Sequence, residues 1–228
     1  MKDPAEYAVI AAGGSGSRMK SRVPKQFLKL GTRPVLMHSL QVFHDYSSDL
    51  QIILVLAEPD IEHWKKLCRE YRFRIPHEVV SGGSTRFQSV KNGLARIGHN
   101  GLVAIHDGVR PLVEKEIIGA SFKIAAIHGS AIAAVRLKES LRMTDKDKTL
   151  AVDRSKFRMI QTPQTFKIPL IRKAYEAEED PEFTDDASVA EKAGITISLF
   201  EGSYSNIKIT TAEDLILARA LLKKNKTG

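Results

Sequence analysis

A glycine-rich segment near the start of the chain is the first feature whose residue types could perform chemistry. Its small residues are Ala12, Gly13, Gly14, Ser15 and Gly16, and the cations Arg18 and Lys25 follow them. Glycines after a strand let backbone N–H groups approach phosphate oxygens with no Cβ in the way. The segment lacks the Gly-Lys-Ser/Thr ending of a P-loop, and Met19 replaces the third glycine of a dinucleotide fingerprint. The pattern favours phosphoryl transfer over the alternative, a tight turn with solvated cations.

A second candidate is the carboxylate of Asp107, which follows an apolar run at 102–106. At the end of a central strand it could hold a ribose hydroxyl or lie near a nucleotide-bound Mg²⁺. The structural alternative is a turn in which Asp107 pairs with Arg110. For His106 we expect a packing or supporting role rather than catalysis.

A third group, Gly83, Ser84 and Ser89, could present backbone groups and a hydroxyl to a base, or could simply begin a helix. Later motifs at 152–154, 161–164, 183–187 and 206–210 are each, alone, more typical of structure than of a site. The segment 206–209 predicts a short strand that carries the cation Lys208.

No residue pattern indicates a general base next to a nucleophile. The sequence contains no Ser-His-Asp signature, no Cys/His metal spacing and no HExxH. One chemistry tolerates this, because a phosphate monoester has its second pKa near about 6 and is largely an ionised nucleophile at neutral pH. Its attack on a nucleotide phosphate requires alignment and charge neutralisation instead of proton abstraction.

The elements that must position these residues alternate between strand and helix. Continuous apolar runs predict buried strands at 7–12, 51–57, 102–106 and 130–135. Amphipathic spacing predicts helices at 34–44 and 60–72, and a capping box at 85–88 opens a third that ends near Ile97. We therefore predict an α/β fold with a Rossmann-like, mostly parallel sheet flanked by helices, and ligands at the carboxyl ends of the strands.

One segment interrupts this alternation. Residues 138–143 and 149–154 flank the polar turn 144–148, which predicts an inserted β-hairpin arm at about 137–155. A lone two-stranded ribbon is marginal in water, so we expect the arm to pack against a second subunit.

Bulk properties set the remaining limits. The chain has 228 residues, 43% of them hydrophobic, and shows no linker or repeat, so we predict a single domain over 1–228. The net charge of +8 favours an anionic partner. Scattered cations and few aromatic residues favour small phosphates over nucleic acid. No apolar run is long enough for a membrane span, and the single cysteine, Cys68, fits a reducing, cytoplasmic location.

The motifs together resemble a known family. The segments 12–19 and 24–26 look like the signature of sugar nucleotidyltransferases, and those at 106–111, 152–154, 162–164, 184–188 and 206–208 narrow the resemblance. In this order they are similar to the 2-C-methyl-D-erythritol 4-phosphate cytidylyltransferases of the non-mevalonate isoprenoid pathway.

The resemblance implies a homodimeric enzyme that joins CTP to a polyol phosphate with Mg²⁺ and releases pyrophosphate. Arg18 and Lys25 would stabilise the α-phosphate, with Gly83, Ser84 and Ser89 around cytosine. Asp107 would meet the nucleotide sugar or the Mg²⁺ surroundings, the ion being held mainly by the CTP phosphates.

The acceptor would be bound by further residues of the motifs: Arg110, Ser140, Arg154, Thr162 and Lys208. Arg154 would come from the partner's arm. Ser140 stands where the family often has threonine, and Gly108 where alanine is common. The alternatives are a ribitol-5-phosphate cytidylyltransferase and a non-catalytic nucleotide-binding subunit; pyrophosphate release from CTP would distinguish the latter.

Overall fold

A seven-stranded sheet with helices on both faces forms the centre of the molecule. The structure, a computed structural model, describes residues 4–13, 23–146 and 148–227. In these ranges the strands are β1 (Glu6–Ala11), β2 (Lys29–Leu30), β3 (Arg33–Pro34), β4 (Gln51–Leu56), β5 (Glu78–Ser81), β6 (Leu102–Asp107), β7 (Ser130–Arg136), β8 (Leu141–Asp145), β9 (Lys148–Val152), β10 (Arg158–Lys167) and β11 (Leu199–Glu201).

The helices cover this sheet. They are α1 (Val35–Tyr46), α2 (Glu58–Glu70), α3 (Arg86–Leu94), α4 (Lys115–His128), α5 (Ile168–Ala174), α6 (Asp186–Lys192) and α7 (Ala212–Thr227). One apolar core lies between the sheet and α1, α2 and α4, and another between the sheet and α3, α5 and α6. Because both faces of the central strands are buried, their sequences are continuously apolar rather than alternating.

The predicted fold class is confirmed. The strand order is β11-β7-β10-β6-β1-β4-β5, and every neighbouring pair is parallel except the two that involve β10. Strand β10 therefore runs against the other six. The sequence analysis missed it because its residues, RMIQTPQTFK, form no apolar run.

The four predicted strands and three predicted helices are present with shifted ends. Helix α2 begins at Glu58, before Pro59, because proline is tolerated in a first turn where no N–H partner is needed. Helix α3 ends at Leu94 rather than near Ile97. Only half of the predicted capping box forms: Thr85 accepts from the backbone of Gln88, whose side-chain oxygen accepts from Ser84 instead.

The predicted hairpin is present but shorter than expected. Strands β8 and β9 pair with each other in a separate two-stranded sheet. Arg154 lies beyond the hairpin, in a 3₁₀ turn at Arg154–Lys156. The role of the hairpin in dimerisation stays a prediction.

Within the described ranges, none of the helices has both the length and the apolar character that crossing a membrane would require.

Candidate active site

The carboxyl ends of two adjacent parallel strands create the site. Ala11 at the end of β1 is in register with Asp107 at the end of β6, so the segments that follow both strands leave the sheet together. Two cavities open at this edge, where ligands bind in sheets of this type.

The larger cavity, about 350 Å³, collects most of the predicted nucleotide-binding residues. Its lining includes these predicted residues: Ala12, Gly13, Lys25, Gly83, Ser84, Ser89, Asp107 and Lys208. Gly14, Ser15, Gly16 and Arg18 lie outside the described residues. The structure thus brings three groups to one cavity of ligand size: the first residues of the glycine-rich segment, the cation Lys25 and the segment 83–89.

A tight turn before α3 forms one wall of this cavity. The Ser89 hydroxyl accepts from the backbone N–H of Gly83 at 3.2 Å. A Cβ at Gly83 would overlap the side chain of Gln88. The turn therefore requires glycine at this position.

Asp107 lies among three cations. Its carboxylate is 3.0 Å from Lys208 Nζ, 3.2 Å from Arg110 Nε and 3.7 Å from Arg86 Nε. Burial alone would raise the pKa of Asp107, but Arg86, Lys208 and Arg110 outweigh it and hold that pKa well below its usual range. The predicted turn pairing with Arg110 is present, as one part of a larger charged cluster.

The smaller cavity, about 180 Å³, adjoins the larger one through this cluster. Both are lined by Arg86, Asp107 and Lys208. The remaining polar lining of the smaller cavity comes from Arg110, Gln161, Thr162, Gln164, Thr184 and Asp185. Arg86, Asp107 and Lys208 thus form a charged ridge between the larger cavity, which has glycines in its lining, and the smaller, polar cavity.

Lys208 reaches the ridge from an irregular segment, not from the short strand that its sequence predicts. The segment is held by the backbone hydrogen bond from Ile209 N–H to Val109 O, at 2.9 Å. Asn206, fully buried, donates to the Thr162 carbonyl at 2.8 Å, and its own carbonyl accepts from Arg110 at the same distance.

A buried hydrogen-bond chain fixes the backbone of Asp107. His106 Nε2 lies 3.1 Å from the Arg110 carbonyl, which only accepts, so Nε2 carries the proton. Burial lowers the pKa of His106 to about 4, so the ring is neutral and Nδ1 accepts from the Thr162 hydroxyl at 2.9 Å. That hydroxyl in turn accepts from the Asp107 N–H at 3.1 Å. His106 thus supports the backbone of Asp107 through Thr162, in line with the supporting role expected for it.

Two site residues escaped the sequence analysis. Arg86 makes a bidentate ion pair with the buried Asp186, at 2.6 and 2.8 Å, and so links α3 to α6 beneath the ridge. Gln26 is buried and donates to Ala12 O at 3.0 Å and to Asp60 at 3.2 Å. Their hydrogen-bond partners lie far along the chain, so no local sequence pattern predicts these contacts. The one available signal was that Arg86 and Gln26 lie within the motifs at 82–89 and 24–26.

Two predicted residues do not line either cavity of their own chain. Ser140 and Arg154 are exposed and flank the hairpin, before β8 and after β9. The Arg154 guanidinium instead donates to the backbone carbonyl of Lys138.

Comparison with known proteins identifies the family. Its model, described as 2-C-methyl-D-erythritol 4-phosphate cytidylyltransferase, matches residues 7–224. The chain belongs to this cytidylyltransferase family. A 2-C-methyl-D-erythritol 4-phosphate cytidylyltransferase from Bacteroides thetaiotaomicron is 48% identical, with 95% of this chain and 99% of the relative covered. One from Porphyromonas gingivalis is 47% identical, covering 95% and 97%.

Solved structures of cytidylyltransferases agree with the fold. A 4-diphosphocytidyl-2C-methyl-D-erythritol synthase from Anaerococcus prevotii superposes with a TM-score of 0.82 at 31% identity, covering 96% of each chain. A 2-C-methyl-D-erythritol 4-phosphate cytidylyltransferase from Thermus thermophilus gives 0.76 at 28% identity, covering 97% of this chain and all of the other.

Proposed function

We propose that this enzyme transfers CMP from CTP to 2-C-methyl-D-erythritol 4-phosphate and releases pyrophosphate. An oxygen of the acceptor phosphate attacks the α-phosphorus of CTP. A new P–O bond forms there as the bond from the α-phosphorus to the bridging oxygen of the β-phosphate breaks. The acceptor oxygen is already ionised, so the step needs no general base.

The observation that carries this proposal is the pair of cavities that share the ridge of Arg86, Asp107 and Lys208. A nucleotide in the larger cavity and a polyol phosphate in the smaller would place their phosphates on opposite sides of one cationic cluster. In-line transfer needs the attacking oxygen aligned with the α-phosphorus and its leaving oxygen, and neutralisation of charge by a nearby cationic cluster supplies much of its catalysis.

The proposed roles follow from the sequence motifs and, for the described residues, from their positions. Lys25 and Arg18 stabilise charge on the α-phosphate, and the backbone of 12–16 cradles the phosphates. The turn at Gly83 and Ser84, fixed by Ser89, surrounds the cytosine. Lys208 and Arg110 hold the acceptor phosphate or its polyol, while Thr162 supports Asp107.

A divalent cation is part of the proposal. Among the described residues no group of three or more His, Cys, Asp or Glu could hold a metal. Asp107 is the one acidic side chain among the described residues that line the larger cavity, and its low pKa keeps it ionised. One carboxylate beside nucleotide phosphates suits Mg²⁺, which prefers such mixed sites. The bound ion would neutralise phosphate charge, with the CTP phosphates as its main ligands and Asp107 as a candidate ligand.

We also propose a single-domain protomer that forms a homodimer by exchanging the arm at about 137–155. Met143 and Leu150, on the two hairpin strands, are 57% and 60% exposed. Exchange across a two-fold axis would cover them and bring Arg154 and Ser140 to the partner's acceptor cavity. The proposed location is the cytoplasm, on the basis of the single cysteine and the small ionised substrates.

The test is a substrate panel. Purified enzyme with CTP and Mg²⁺ is offered 2-C-methyl-D-erythritol 4-phosphate and, separately, ribitol 5-phosphate, with pyrophosphate release as the readout. We expect turnover with the first acceptor and little with the second. Preference for ribitol 5-phosphate would reassign the acceptor, and no pyrophosphate with either would leave a nucleotide-binding subunit.

A further inference from the structure

The position of Arg154 depends on the point where its arm leaves the sheet. The guanidinium of Arg154 donates to the carbonyl oxygen of Lys138, two residues after β7 ends at Arg136. The Asp153 carboxylate caps the turn by accepting from Ser155 N–H at 3.0 Å. Any movement of the chain at 136–138 would therefore displace Arg154.

One aromatic side chain holds this stretch at two points. The Tyr204 hydroxyl donates to the Arg136 carbonyl at 2.8 Å. The Lys138 ammonium lies over the Tyr204 ring, 3.7 Å from its centroid, a close cation–π contact. Both contacts are on the stretch whose carbonyl holds Arg154.

Tyr204 is itself held on a braced segment. The backbone of the preceding residue, Ser203, exchanges two hydrogen bonds with the Gln161 side chain, at 2.8 and 3.3 Å. The hydroxyls of Ser203 and Ser205 both approach Glu114 Oε1, at 2.9 and 3.2 Å. This segment continues to Lys208, so it also belongs to the site of its own chain.

We propose that Tyr204 is a positioning residue for Arg154: it fixes the root of the arm, so that its main effect is on the acceptor site of the partner subunit. The inference rests on the proposed function, because it requires the exchanged arm. It assigns to Tyr204 a role in trans, although its nearest site residue along the chain is Lys208 in cis.

The first measurement uses the homodimer. Tyr204→Leu removes the hydroxyl and the ring, and we expect the KM for the acceptor to rise on the order of tenfold with the KM for CTP unchanged. Tyr204→Phe keeps the ring under Lys138 and should raise the KM less. Tyr71→Leu is the matched control, since Tyr71 also carries a lysine, Lys29, over its ring. A fall in kcat alone, with the KM for the acceptor unchanged, would indicate loss of folded protein and overturn the proposal.

The second measurement separates the two subunits. In a mixed dimer of Lys25→Ala and Arg154→Ala chains, the one complete site takes Lys25 from the Arg154→Ala chain and Arg154 from the Lys25→Ala chain. Adding Tyr204→Leu to the Lys25→Ala chain alters the arm that serves this site. Adding it to the Arg154→Ala chain alters an idle arm and, in cis, the segment that leads to Lys208 of the complete site.

We expect the acceptor KM of the purified mixed dimer to rise only in the first placement. A rise of equal size in both placements, a rise only in the second, or none in either would overturn the role in trans. The mixed dimer of Lys25→Ala and Arg154→Ala without any change at Tyr204 is the reference. If it is inactive although two affinity tags demonstrate mixed dimers, the exchanged arm is wrong and this inference falls with it. The proposed reaction is tested separately, by the substrate assay on the wild-type enzyme.

Discussion

The ridge around Asp107 and the arm of β8 and β9 are built in opposite ways. At the ridge, a buried carboxylate is held by three cations and by a hydrogen-bond chain through His106 and Thr162. The arm is a self-paired ribbon, and its apolar side chains Met143 and Leu150 are exposed. Both regions carry predicted site residues, yet only the first brings them to a cavity of its own chain.

This difference is consistent with the proposed division of the site between two subunits. The groups proposed to bind CTP that lie in the described ranges are assembled within one chain, at one edge of the sheet. The predicted site residues on the arm are expected to pack against another surface, because a two-stranded ribbon has little stability of its own. Changes at the ridge should therefore alter chemistry and fold stability, and changes on the arm should alter assembly.

The largest effect is expected in the larger cavity that borders the ridge, at a cation outside the buried charge cluster. Lys25→Ala should lower kcat on the order of 10² to 10³, by analogy with the loss of one preorganised donor to a developing charge. Its melting temperature should match wild type, since the side chain lines a cavity rather than the core. Lys29→Ala, four residues on and outside both cavities, is the matched control. A kcat within a few-fold of wild type would remove Lys25 from catalysis.

The second prediction concerns pH and stability. Because burial lowers the pKa of His106 to about 4 in the folded protein, the unfolded chain binds its proton first as pH falls. Stability should then be lost between pH 6.5 and 4, by about 3 kcal/mol in total from this group. Urea unfolding across this range measures it.

The His106→Asn variant should lose this dependence, whereas the exposed His128→Asn should keep it. The contribution of Asp107 to stability changes in a different pH range. Because the pKa of its carboxyl is lowered in the folded protein, that contribution is lost only as the pH falls below the ordinary pKa of about 4. An unchanged slope in His106→Asn would contradict the account of the buried chain.

The third prediction moves to the arm. Replacing Met143 and Leu150 by serine should weaken the dimer, raising its dissociation constant on the order of tenfold or more, because apolar area would no longer be buried on association. Sedimentation over a dilution series measures this. Ile127→Ser, at a side chain 74% exposed on α4, is the control. A dimer as tight as wild type in the double variant would place the interface elsewhere.

The smallest expected effect sharpens the division between the two cavities. Lys208→Ala should raise the KM for the acceptor on the order of tenfold, the loss of one charged hydrogen bond. The CTP affinity, measured by calorimetry, should hardly change, and Arg86 and Arg110 should still keep Asp107 paired. Lys192→Ala, at an exposed lysine, serves as control. Loss of CTP binding with an unaltered acceptor KM would move Lys208 to the nucleotide.

The sequence predicted the parts of this molecule in which local pattern determines structure. Apolar runs identified β1, β4, β6 and β7, and glycines with nearby cations marked the larger cavity. It missed what depends on partners far along the chain. Strand β10 is reversed and locally polar, Arg86 depends on Asp186, and Lys208 is held by tertiary contacts rather than by the strand that was expected.

The central claim, a site completed by the partner's arm, is tested most directly by mixing two inactive variants. Lys25→Ala and Arg154→Ala homodimers should each be nearly inactive. With random pairing about half of the dimers are mixed, and each mixed dimer holds one site with both side chains, so co-expression should restore about a quarter of wild-type activity. If mixed dimers are present and no activity returns, Arg154 does not serve the neighbouring site and the exchanged arm is wrong.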